Sequence, residues 1–191
     1  MQSTFRNLVL GVYMDFTEVI AARKSVRKYS DEPIDNESIM KCLEAARIAP
    51  SWANKQCWHF IVVREREKIE KLSSMINFWM KDAPAVIVAC GDPSKSGFKN
   101  EQHYYLVDVA IALEHFVLAA TNEGLGTCWI GAFDEENVKT LLSIPREIKV
   151  VALTPIGFPA EDEGLFSKTL KTLVSSKKRK PLEEIAHMEK W

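Results

Sequence analysis

Arg23-Lys24-Ser25-Val26-Arg27-Lys28 puts four cations and a hydroxyl into six consecutive residues. Arginine offers a planar fork of donors that matches phosphate oxygens two at a time, and serine adds a neutral donor, so the run has the chemistry of a phosphate clamp. The plainer reading is a solvated basic face at a helix C-terminus, where cations complement the helix dipole. Pro50-Ser51-Trp52-Ala53-Asn54-Lys55-Gln56-Cys57-Trp58 combines two amides, a hydroxyl and two indoles. Asn and Gln carry both donors and acceptors, which suits reading the edge of a heterocycle with several carbonyls and ring nitrogens. Asn54 and Ser51 are equally ordinary turn residues.

A third segment, Glu123 to Phe133, holds Gly124, Gly126 and Gly131. Glycines let backbone approach a ligand, although a helix C-cap and a tight turn account for two of them equally well. The spacing is not that of a dinucleotide-binding fingerprint, and the glycines follow a helix instead of opening one. Cys57 and His59 stand two apart in an aromatic run and read as core before nucleophile and base. His59, His103, His115 and His187 lack metal-ligand spacing, and no acidic pair suggests a general acid and base. Lys177-Lys178-Arg179-Lys180 lacks interleaved aromatics, so it reads as a solvated run or a second phosphate contact, not a nucleic-acid site.

The elements that must position these residues follow from periodicity. Phe16, Val19, Ile20 and Lys24 predict a helix over 15–24 with Asp15 or Thr17 as cap. Asp35-Asn36 opens a second helix carrying Ile39, Cys42, Leu43, Ala46 and Ile48, which Pro50 stops near Ala49. Strands are expected at 58–63, 85–90 and 149–157, the second buried on both faces. The longest helix spans 102–123, with Leu106, Val109, Ala110, Leu113, Phe116, Val117 and Ala120 on its apolar stripe and Gly124 as C-cap. Asp134 begins another helix over 135–143. Alternating helices and strands give an α/β or α+β domain in three layers.

The chain has 191 residues, 47% apolar and 27% charged, the balance of one globular domain. At that length about 70% of the unfolded surface can be buried without metal or disulfide support. Twenty-five basic residues against 26 acidic give a net charge of −1, too weak a field to gather nucleic acid or anionic membrane. Four scattered cysteines with no C-x-x-C pair point to a reducing, cytoplasmic compartment. No stretch has the unbroken apolar length of a membrane helix. Residues 1–14 read as an N-terminal extension, since Met14 could itself be a start, and the polar stretch from about 160 to 191 reads as an arm of the single domain that begins at Asp15.

Taken in order, Arg23-Lys24-Ser25-Val26-Arg27, Ala49-Pro50-Ser51 through Asn54, Gln56 and Trp58, and Gly124 to Gly131 resemble the nitroreductase family of FMN-dependent NAD(P)H oxidoreductases, from about Asp15 to the C-terminus. The resemblance implies an α+β, three-layer fold with a mainly antiparallel sheet flanked by helices, and an intertwined homodimer with FMN at its interface. It implies that Arg23, Lys24, Ser25 and Arg27 hold the phosphate and ribityl chain, with Lys177 and Arg179 reaching the same phosphate. Pro50, Ser51, Trp52, Asn54 and Gln56 would border the ring from the other subunit, and Trp129, Ile130, Gly131 and Ala132 would pass its opposite face, presenting backbone N–H toward N5. The arm would wrap the partner. Trp52 stands where the family often has a small residue, implying a narrower pocket or a different stacking, and the short stretch between the strand at 85–90 and the helix at 102–123 implies that a lid-like insertion is missing. The expected activity is ping-pong reduction of nitroaromatic, quinone or similar flat acceptors by NADH or NADPH, with the chemistry on the flavin and no protein acid, base or metal. Specialised flavin chemistry, such as reductive dehalogenation, dehydrogenation or flavin fragmentation, and a non-enzymatic FMN-binding redox sensor are the alternatives.

Overall fold

The computed structural model describes residues 14–161 and 179–191. The expected extension over 1–13, most of the arm and Lys177 lie outside the described residues. Five α-helices are described: α1 (Phe16–Ala22), α2 (Asn36–Arg47), α3 (Arg66–Leu72), α4 (Tyr104–Asn122) and α5 (Glu135–Leu142). They alternate with β1 (Trp58–Val63), β2 (Ala85–Gly91), β3 (Phe98–Lys99), β4 (Gln102–His103), β5 (Gly126–Thr127) and β6 (Lys149–Gly157).

β1, β2, β6 and β5 form one sheet in that spatial order, and every pair in it is antiparallel. β2 lies second in the sheet and is buried along its whole length. Its side chains alternate as the two-residue strand period requires. Ala85, Ile87 and Ala89 pack with Ile39, Cys42 and Ala46 of α2 and with Val109, Leu113, Phe116 and Val117 of α4. Val86, Val88 and Cys90 face Ile69 and Leu72 of α3, Val138 of α5, and Trp79 and Met80. Three layers result, with α2 and α4 on one face and α3 and α5 on the other.

Side-chain caps fix the helix starts. The Asp15 carboxylate accepts the Glu18 amide while Glu18 reaches back to the Asp15 amide, a complete capping box. Asp35 and Asp134 accept the amides of Ser38 and Asn137 in the same way. The 15–24 helix is shorter than expected, ending at Ala22, so Arg23 to Arg27 run as extended backbone beside β5.

The stripe of α4 is largely the expected one: Val109, Leu113, Phe116, Val117 and Ala120 are buried, Ala110 is half-buried, and Asp108 and Ala112 join it. Leu106, expected on it, is exposed. α4 is the one described helix long and apolar enough to cross a membrane, but its broad apolar surface lies on the sheet and α2. Gly124 takes φ 77° just past its end, the left-handed conformation that a helix C-terminus commonly uses.

Candidate functional site

Backbone pairing brings the first and third sequence segments together. The Val26 amide donates to the Thr127 carbonyl at 2.8 Å, and Ser25 bridges Thr127 in parallel. The approach is close: a β-carbon on Gly126 would lie 2.6 Å from a Val26 methyl. After β6 the chain runs back along the same segment, with Ser30 N–H donating to Phe158 O at 2.9 Å and Ala160 N–H to Lys28 O at 3.1 Å. The basic run is therefore held on both sides.

Cys128, next after the Thr127 that pairs with Ser25 and Val26, feels the charges of this run. Burial raises the pKa of the Cys128 thiol, and Arg27, Ser25 and Arg23 each pull it back. Both arginines are half-buried, and the Arg27 guanidinium lies 5.8 Å above the Trp79 ring. Among the described residues no carboxylate pairs with Arg23 or Arg27. Two guanidiniums held together beside a hydroxyl, with no internal anion, are the donor set that a phosphate monoester fits. Lys24 is exposed alongside them, and Arg179 is exposed in the described C-terminal stretch.

The third segment is less open than its sequence suggests. Ile130 spends both its amide and its carbonyl on Leu153 of β6, at 2.9 and 3.0 Å, and its side chain is buried. Ile130 is thus a strut and has no backbone donor to offer a ligand. Trp129 turns its indole N–H to Glu114 at 3.2 Å. Gly131 is different: it is exposed, a β-carbon there would meet nothing within 4 Å, and its amide has no partner among the described residues. Asn77 steadies the next residue, donating to Ala132 O at 2.7 Å. Asn77 and Trp79, on the 3-10 turn region before β2, brace both halves of this site; neither stands in a motif, so the sequence did not mark them.

The second segment stands apart, since the hydrogen bonds of the 50–56 loop run within it or to α4 and none joins Arg23 to Arg27 among the described residues. Ala53, Asn54 and Gln56 all have positive φ, at 45°, 56° and 50°. Gln56 N–H donates to Ser51 Oγ at 2.9 Å, and its side-chain amide reaches Asn54 Oδ1 at 3.1 Å. Pro50, Asn54 and Gln56 are exposed while Ser51 is half-buried. Trp52 does not fill the loop's outer surface. Its ring packs 4.3 Å from Tyr104 and against Gly97. Cys57 is buried with its pKa pushed up to about 11, by burial first and then by Asp108, while His59 is exposed, so the two form no nucleophile and base. Among the described residues no His, Cys, Asp or Glu cluster could hold a metal.

The Nitroreductase family profile matches residues 20–77 and 71–158, which takes in all three segments. The chain belongs to the nitroreductase family. A solved nitroreductase family protein from Clostridium novyi NT is 42% identical, superimposes with a TM-score of 0.74, and shares 78% of this chain and 87% of that one. An Archaeoglobus fulgidus protein whose name joins NADH dehydrogenase and NAD(P)H nitroreductase is 37% identical over 78% of this chain and 88% of its own. The Bacillus subtilis FMN reductase [NAD(P)H] is 29% identical over 88% of this chain and 71% of its own. Iodotyrosine deiodinase 1 of Sus scrofa is 28% identical over 90% of this chain and 67% of its own. The antiparallel, helix-flanked α+β sheet implied by the resemblance is the nitroreductase fold of these neighbours.

Proposed function

We propose that this nitroreductase family member is an FMN-dependent, NAD(P)H-consuming oxidoreductase that reduces nitroaromatic, quinone or similarly flat acceptors by a ping-pong mechanism, as a cytoplasmic homodimer. Its similarity to the archaeal NAD(P)H nitroreductase and the bacterial FMN reductase supports the NAD(P)H-dependent oxidoreductase class. The single observation that carries the FMN reading is that Arg23 and Arg27, flanking Ser25 beside the Thr127 strand, have no carboxylate partner and the Gly131 amide has no acceptor among the described residues.

When bound, FMN supplies the two-electron chemistry, taking hydride from the nicotinamide and passing it to the acceptor. The protein's contribution is electrostatic and geometric. Arg23, Ser25 and Arg27 hold the phosphate, with Lys24, Lys177 and Arg179 as flanking cations. Gly131 and Trp129 offer backbone amides to the ring, and such fixed donors stabilise negative charge that develops on reduction. Pro50, Ser51, Trp52, Asn54 and Gln56 form the second wall, supplied by the partner subunit. Exposed Phe16, Ile20, Leu106, Val107, Ile185 and Trp191 are apolar side chains that a partner subunit would cover. The four cysteines are free and buried, which suits a reducing compartment.

The test is an anaerobic titration of the purified protein with NADH and then NADPH, followed in the visible spectrum. Flavin bands that bleach with either nucleotide support the reading; absence of flavin bands after incubation with FMN overturns it. A second reading, reductive dehalogenation, is favoured by the similarity to the deiodinase, 28% identical against 29% for the FMN reductase, and halide release from an iodinated phenol under the same conditions would select it.

A further inference from the structure

Asp108 is only 2% exposed, on the second turn of α4, and no cation pairs with it among the described residues. Its carboxylate collects three donors, two from the ends of one loop and one from Ser96. Oδ1 accepts the Trp52 amide at 2.8 Å, and Oδ2 accepts the Ser96 hydroxyl at 2.7 Å and the Cys57 thiol at 3.5 Å. Trp52 and Cys57 are the entrance and the exit of the loop whose residues 53, 54 and 56 all have positive φ. Non-glycine residues seldom adopt that region, and three of them within four positions persist only where their surroundings over-determine the shape. Asp108 grips both ends. The Trp52 ring is seated separately: a β-carbon on Gly97 would fall 2.3 Å from it, so only glycine leaves it room.

We propose that Asp108 is a positioning residue for the cofactor: through the Trp52 amide and the Cys57 thiol it holds Ser51 to Gln56 in the strained shape that forms one wall for the flavin ring. The assignment rests on the FMN reading above. Asp108 lies beneath the loop and acts on the ring only through it. A carboxylate suits this task because it accepts from several donors at once and gives none, and bonds to it are stronger than bonds to a neutral acceptor. Removing it leaves the half-buried Trp52 amide without this partner, and the loop then relaxes out of its left-handed turns. The phosphate clamp at Arg23 to Arg27 shares no hydrogen bond with this loop among the described residues and is untouched.

The experiment compares wild type, Asp108→Asn and Asp108→Leu, each purified as holoprotein. FMN affinity is read by flavin fluorescence, loop order by tryptic cleavage after Lys55, and folding by thermal melting. Asn keeps an acceptor for Trp52 and offers its NH2 to the Ser96 hydroxyl; Leu has similar volume and no acceptor. The expected result is FMN affinity within about threefold of wild type for Asn, and a loss on the order of tenfold to a hundredfold for Leu with a new cut confined to Lys55. Equal melting losses in both variants, with unchanged FMN affinity in the folded fraction, would overturn the proposal. If the Leu variant does not fold, Asp108→Glu carries the test: it keeps the charge but moves the acceptor by a methylene, so FMN should bind more weakly at a melting temperature near that of wild type, and unchanged affinity would overturn the assignment. Wild type that never binds FMN defeats the FMN reading itself; wild type that binds, with variants that match it, defeats the role of Asp108 alone.

Discussion

Val26 and Gly126 touch so closely that a single methyl on Gly126 would overlap a Val26 side-chain carbon, at 2.6 Å. Gly126→Ala should therefore destabilise the fold by about 1–3 kcal/mol, the usual size of an overpacking penalty in a packed core. Val26→Ala removes the two methyls but keeps the β-carbon, which would still lie 2.8 Å from the new one. In a thermodynamic double-mutant cycle, Val26→Ala should recover only part of the Gly126→Ala loss and Val26→Gly more of it, and additive losses in both cycles would show that the contact is not what makes glycine necessary here.

The unpaired guanidiniums give the second expectation. Arg23→Ala or Arg27→Ala should each weaken FMN binding on the order of tenfold to a hundredfold, leaving largely colourless protein after gel filtration. Either variant recovered with full flavin occupancy would remove the phosphate-clamp assignment.

Gly131 permits a cleaner dissection. Because open space surrounds it, Gly131→Ala should melt close to wild type. Gly131→Pro removes the amide that has no internal partner, and should slow bleaching of the bound flavin by NADH about tenfold or more while barely changing the melting temperature. Equal bleaching rates in the two variants would show that this amide has no part in reduction.

Glu135 makes acid stability sensitive to one carboxylate. Burial alone would raise its pKa, but the Lys139 ammonium at 3.0 Å, the Val150 amide at 3.1 Å and the charges of Lys139 and Lys149 more than offset that and hold it below the usual value. A depressed folded-state pKa gives stability that is present above the unfolded pKa and lost as pH falls through the folded one. Glu135→Gln should thus melt lower than wild type at pH 7, and the gap should close below about pH 4. A gap that stayed constant into acid would mean the loss is one of packing.

Much of the framework could be read from the chain. The strands at 58–63 and 149–157 stand where β-branched and aromatic runs put them, and Asp15, Asp35, Asp134 and Gly124 cap helices as their types require. α3 gave no signal, because REKIEKL carries only two apolar residues in barely two turns. The β3–β4 hairpin was equally silent: its strands are two residues each, and Asn100-Glu101, both at positive φ, lacks the glycine that usually marks such a turn. In the candidate site, residue types revealed which donors exist but not which are already spent. Ile130 looks as available as Gly131 until β6 is laid beside it, and an isolated aspartate in an apolar helix such as Asp108 leaves no periodic trace.

α4 sets the spacing between two functions. Its first turns hold the 51–56 loop through Asp108, and its last residue delivers Gly124 and the segment that ends at the open Gly131 amide. At 1.5 Å per residue the 19-residue helix is a rod of about 28 Å, and one inserted residue would turn its ends against each other by about 100°. Length variation should then be tolerated at the exposed Asn100-Glu101 tip and excluded between 104 and 122, making the core helix the ruler by which the two walls are set.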